Sequence, residues 1–87
     1  MRFIFGFLFV GVSLVAAPKQ VLVLGQKPDG HPPGTHEYMP GARVVKALLS
    51  GRDDIKVTIS QADEPWAEGP KLIAKSDCVV LFVNEGG

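Results

Sequence analysis

The sequence predicts an α/β fold: a parallel sheet of strand order 2-1-3 with helices in its crossovers. Three observations carry that expectation. Residues 20–25 (QVLVLG) and 78–83 (CVVLFV) are uninterrupted apolar runs, the pattern of strands buried on both faces. Residues 55–60 (IKVTIS) alternate apolar and polar, as an edge strand with one wetter face does. A segment of helical period separates the first two runs and a shorter crossover separates the last two, giving the order β-α-β-α-β. Only the second run alternates, so it takes an edge and the first run takes the centre.

The helix is expected to reach Ser50. Tyr38, Ala42, Val45, Leu48 and Leu49 recur at helical spacing, with Arg43, Lys46 and Ser50 on the other side. Pro40 belongs in the first turn, where no amide partner is lost, and Gly51 is placed to cap the end. The second crossover, residues 61–77, holds a loop around Pro65 and Trp66 and a short helix over residues 70–75.

The first 17 residues are set apart as an export signal, leaving residues 18–87 as the domain. Arg2 gives a short basic start, and residues 3–17 are an uncharged apolar run ending in Val15, Ala16 and Ala17. About 15 helical residues span roughly 22 Å, short of the roughly 30 Å membrane core. A cleaved leader is expected, and with it an exported protein, periplasmic or extracellular. Pro18, just after the cleavage position, keeps an uncleaved tether as the alternative.

Without Arg2, nine acidic groups face eight basic ones, a balance that supports neither nucleic-acid nor anionic-membrane binding. Cys78 is the only cysteine, so no internal disulfide forms. Three strands and little more than one helix cannot cover both faces of a parallel sheet. The expectation is therefore a domain truncated after its third strand, with part of its site missing. Oligomeric state is not legible.

Ligands of open α/β sheets bind beyond the carboxyl ends of the strands, where the winding direction reverses. That point lies between the first and third strands, at residues 26–37 and 84–87. The first of these loops is broken by Pro28, Pro32 and Pro33 and carries His31 and His36, with Asp29 and Glu37 just outside them. Imidazoles beside carboxylates suit acid–base work, ligand contact or metal ligation. Their spacing matches no recognised zinc pattern, so no metal is assigned, and a cap or turn role for His36 and for the Asp29-Gly30 pair stays open. Cofactors are not legible. Cys78 opens a strand and is expected as a small buried hydrophobe rather than a nucleophile. Trp66 either stacks on a sugar or, more in keeping with its setting, packs over the sheet.

The segments KQVLVL (residues 19–24) and HPPGTHEY (residues 31–38) resemble the opening of the trehalose-utilisation (ThuA-like) proteins. EPWAEGP (residues 64–70) is similar to their tryptophan-proline segment. Residues 79–87, ending Asn84-Glu85-Gly86-Gly87, are similar to their third strand and glycine turn, although Glu85 interrupts the glycine run. The resemblance implies a three-layer, flavodoxin-like fold of the class I glutamine amidotransferase kind, without that enzyme's elbow cysteine. It also implies a small-molecule sugar as partner, trehalose-related or a keto-sugar. His31, His36 and Glu37 carry over as the catalytic candidates, and Gly34, Thr35, Tyr38, Asn84, Gly86 and Gly87 as substrate-binding ones. A sugar-directed lyase or hydrolase is the first reading and a non-catalytic carbohydrate-docking module the second. A flavin or nucleotide binder ranks last, because the loop lacks the Ser/Thr and glycine density that cradles a phosphate.

Overall fold

The computed structural model describes residues 16–84. The leader expected over residues 1–17 lies almost wholly outside the described residues, as do Glu85, Gly86 and Gly87. Among the described residues, no helix is long and apolar enough to cross a membrane.

The elements run β1 (Lys19–Gly25), α1 (Tyr38–Leu49), β2 (Ile55–Gln61), α2 (Gly69–Ala74) and β3 (Cys78–Leu81). The three strands form one parallel sheet of order β2-β1-β3, in agreement with the sequence. The register runs from Lys19↔Ile55 to Gly25↔Gln61 on one side of β1, and from Val21↔Cys78 to Leu24↔Leu81 on the other. Its N-terminal end is tied by the Gln20 amide, which donates to Asp77 Oδ2 at 2.7 Å, while the Asp77 amide returns a bond to the Gln20 carbonyl at 2.8 Å.

Side chains alternate across a sheet, so Val23, Ile59 and Val80 share one face while Leu22, Leu24, Ser60 and Leu81 share the other. Helix α1 packs on the first face against β1 and β2, and the Phe82 ring lies against Gly41 there. On the second face, Leu72 of α2 stands beside Leu22 and Thr58. The buried apolar residues are Leu22, Val23, Leu24 and Ala42. Fully burying a side chain of the Leu or Val size is worth about 2 kcal/mol, so β1 is the anchor of the fold.

Three details differ from the sequence reading. Leu48 does not join the packed stripe of α1: it is 77% exposed, while Ala42 is fully buried. Residue 48 stands roughly a quarter-turn from the line through Tyr38, Ala42, Val45 and Leu49. Strand β3 is two residues shorter than its apolar run. The last rung is the Phe82 amide donating to the Leu24 carbonyl at 2.8 Å. Cys78 is exposed, not buried. Order 2-1-3 leaves β3 on an edge with no strand beyond it among the described residues, which also exposes Val79 and Leu81.

Candidate functional site

The site grows out of two turns in the loop that leaves the central strand. Asp29 opens the first. Its Oδ1 accepts the His31 amide at 3.0 Å, an Asx-turn that Gly30 completes at φ +89°. The second is Pro32-Pro33-Gly34-Thr35, in which the Thr35 amide donates to the Pro32 carbonyl at 3.2 Å and the Thr35 hydroxyl donates to that same oxygen. Gly34 takes φ +88°, the left-handed position of a type II turn after proline. Glu37 locks it from below, its Oε1 accepting the Gly34 amide at 2.6 Å.

These turns reverse the chain, so residues on both sides of the prolines converge on one carboxylate. Asp29 Oδ2 accepts His36 Nδ1–H at 2.7 Å and the Tyr38 hydroxyl at 2.7 Å. His31 Nδ1 lies 2.8 Å from Asp29 Oδ1. The two imidazoles meet edge-on with centroids 4.5 Å apart, and the Tyr38 ring stands 6.0 Å from His36. Asp29 keeps only 10% of its side-chain surface, whereas His31 and His36 keep 57% and 45%. The hub is covered and its imidazoles face solvent.

The electrostatics follow from this geometry. The hydrogen bond from Tyr38, joined by those from His36 and His31, holds the Asp29 carboxyl far below the usual carboxylate range against the opposing effect of desolvation. The same bond makes the phenol a donor to an anion, and Tyr38 is pushed up from 10.0 to about 12, with desolvation and the Asp29 charge adding to the rise. An ionised Asp29 fixes the His36 proton on Nδ1 and leaves Nε2 free to accept one.

A cavity of about 620 Å³ adjoins the cluster, and Asp29 stands on its wall. Leu24, Leu81 and Trp66 supply its apolar side, and Gln26, Asp63 and Asn84 supply polar groups. This is the topological switch region at the carboxyl ends of the strands. Trp66 is held over the sheet: its Nε1–H donates to the Ser60 hydroxyl at 3.0 Å, which in turn donates to Glu68 Oε1 at 3.3 Å. Its ring packs so closely on Gly69 that a side chain there has no room. Ser60 is the buried polar group of the sheet, 8% exposed, and the network satisfies it.

Of the residues singled out in the sequence, the structure gathers His31, His36 and Tyr38 on Asp29. Gly34, Thr35 and Glu37 build the turn that makes this convergence, with Glu37 spent on the Gly34 amide. Asn84 stands across the cavity, its amide donating to Gln26 Oε1 at 2.7 Å, which ties the end of β3 to the loop after β1. Gly86 and Gly87 fall outside the described residues. Asp29, which the sequence places only just outside the histidine pair, is the shared partner at the centre of the cluster. Its signal in the sequence is an Asp-Gly-His run four residues past the end of a buried strand, where an Asx-turn aims the carboxylate at the following side chains. Comparison of the chain with protein-family models, with curated proteins and with solved structures found no match.

Proposed function

We propose that this chain is an exported domain of the ThuA-like kind that binds and acts on a carbohydrate, trehalose-related or a keto-sugar. The observation that carries the reading is the Asp29–His36 pair, 2.7 Å apart beside the cavity at the carboxyl end of β1. The resemblance of residues 31–38 supports the sugar, and an apolar wall rimmed by Gln26, Asp63 and Asn84 suits a ring with hydroxyl groups at its edges.

The chemistry that suits the pair is elimination from a keto-sugar. His36, oriented by Asp29, takes through Nε2 the proton on the carbon next to the carbonyl. The C–H electron pair becomes a C=C bond as the C–O bond to the departing sugar breaks. That oxygen leaves as an alcohol after taking a proton from an acid in the site, and His31 is the nearest imidazole to serve.

The experiment is turnover of 3-keto-trehalose, alongside binding of trehalose, by the full chain and by its His36→Ala variant. Turnover falling by about 10²-fold or more is expected, and unchanged turnover removes the assignment. Sugar binding that survives both His31→Ala and His36→Ala, with no turnover by the parent, assigns the protein instead to carbohydrate docking. The Leu24, Leu81 and Trp66 wall favours that second reading, since neither imidazole is among the residues that line the cavity.

A further inference from the structure

We infer that Asp29, His31 and His36 form a binding site for a divalent transition-metal ion of the class that imidazole and carboxylate select, with Zn²⁺ the type case. The inference does not rest on the sugar reading, because it concerns the donor set alone. One nitrogen from each imidazole and one carboxylate oxygen lie within 4.8 Å of one another. At metal–ligand distances of about 2.1 Å, the donors around a tetrahedral ion stand roughly 3.4 Å apart. Closing the remaining gap takes a movement of about 1 Å, which two half-exposed rings accomplish by rotation.

The donors are also held where an ion needs them. The Asx-turn fixes Asp29 relative to His31, and the Gly34 turn fixes both relative to His36. The Tyr38 hydroxyl on Asp29 Oδ2 is the outer hydrogen bond that orients a ligating carboxylate. Solvent reaches both imidazoles, so an ion has an entry path. Three protein donors leave a coordination position open, the arrangement of a reactive rather than a purely structural site.

Linear spacing hides this site. His31 and His36 are five positions apart, with Asp29 two before the first, and only the proline-glycine reversal unites them. Cys78, the chain's one thiol, opens β3 beside Val21 at the end of the sheet away from the loop and is not a member of the cluster.

The test is titration of the purified, metal-free full chain with Zn²⁺ by calorimetry and with Co²⁺ by visible absorption. One ion per chain is expected, with the intense Co²⁺ bands of a low coordination number. His31→Ala and His36→Ala should each weaken binding by at least about tenfold, and the double variant should abolish it. Cys78→Ser should bind as the parent does. Circular dichroism checks that each variant is folded, and His31→Ala removes a side chain that is more than half exposed. Absence of binding by the parent overturns the inference. So does binding that both histidine variants retain, or that Cys78→Ser loses.

Discussion

The Tyr38 hydroxyl donates to Asp29 Oδ2 across nine positions of sequence, at 2.7 Å. Tyr38 is the first residue of α1, and Asp29 stands four residues past the end of β1. With the His36 bond to the same oxygen, this hydrogen bond closes residues 29–38 of the connection between the central strand and its helix. The carboxylate serves both as the loop's fastener and as the partner of His31 and His36, so its loss should be felt in structure and in chemistry together.

The turn at Gly34 is the first place to test this. Nothing stands within 4 Å of a Cβ built on Gly34, yet its φ of +88° is one that side chains rarely adopt. Gly34→Ala should cost about 1–2 kcal/mol through backbone strain alone, read as a lower urea midpoint. The same variant should displace His36 from Asp29, so imidazole-dependent binding should weaken as well. A variant as stable as the parent would show that the reversal is not made at Gly34.

The covered wall of the cavity offers a second test. Ser60→Ala leaves the Trp66 Nε1–H without its acceptor in a half-buried setting, at a cost of about 1–2 kcal/mol. Trp66 is the only tryptophan in the chain, so its fluorescence reports the change directly. Emission should move toward that of a hydrated indole. Identical emission and stability would mean that Ser60 does not hold the ring.

Acid behaviour gives a third. The folded Asp29 carboxyl is held below its unfolded value of about 3.9. A depressed carboxyl contributes stability that is complete above the unfolded value and is lost as pH falls toward the folded one. The stability difference between the parent and Asp29→Asn should shrink as pH falls below about 4. A difference that grows on acidification would contradict the assignment of Asp29 as the ionised hub.

Much of this fold was legible because patterning dictates it. The unbroken apolar run of β1 and the alternation of β2 were sufficient to place one at the centre and the other at the edge, and the described sheet has that order. The end of β3 was not legible, since Phe82 and Val83 are as apolar as Val80. The ladder nonetheless stops at the Phe82 amide's bond to the Leu24 carbonyl. The exposure of Cys78 and Leu48 was hidden for related reasons: one depends on what lies beside β3, the other on a quarter-turn of helix phase. The loop announced its importance through its prolines and histidines. The choice of Asp29 over Glu37 as the shared carboxylate could not be read from spacing, because it depends on which acid the Gly34 turn consumes.

The most direct test of the convergence on Asp29 is the ionisation of Tyr38, the only tyrosine in the chain. A phenol donating to a carboxylate keeps its proton, so tyrosinate absorbance should appear with a midpoint at about 12. The stabilisation from this bond should be complete below about pH 10 and lost as pH rises through the folded value. In Asp29→Asn the midpoint should fall back toward about 10. A parent chain that is still folded and titrates near 10, unchanged by Asp29→Asn, would mean that Tyr38 does not reach Asp29 and that the loop does not close as described.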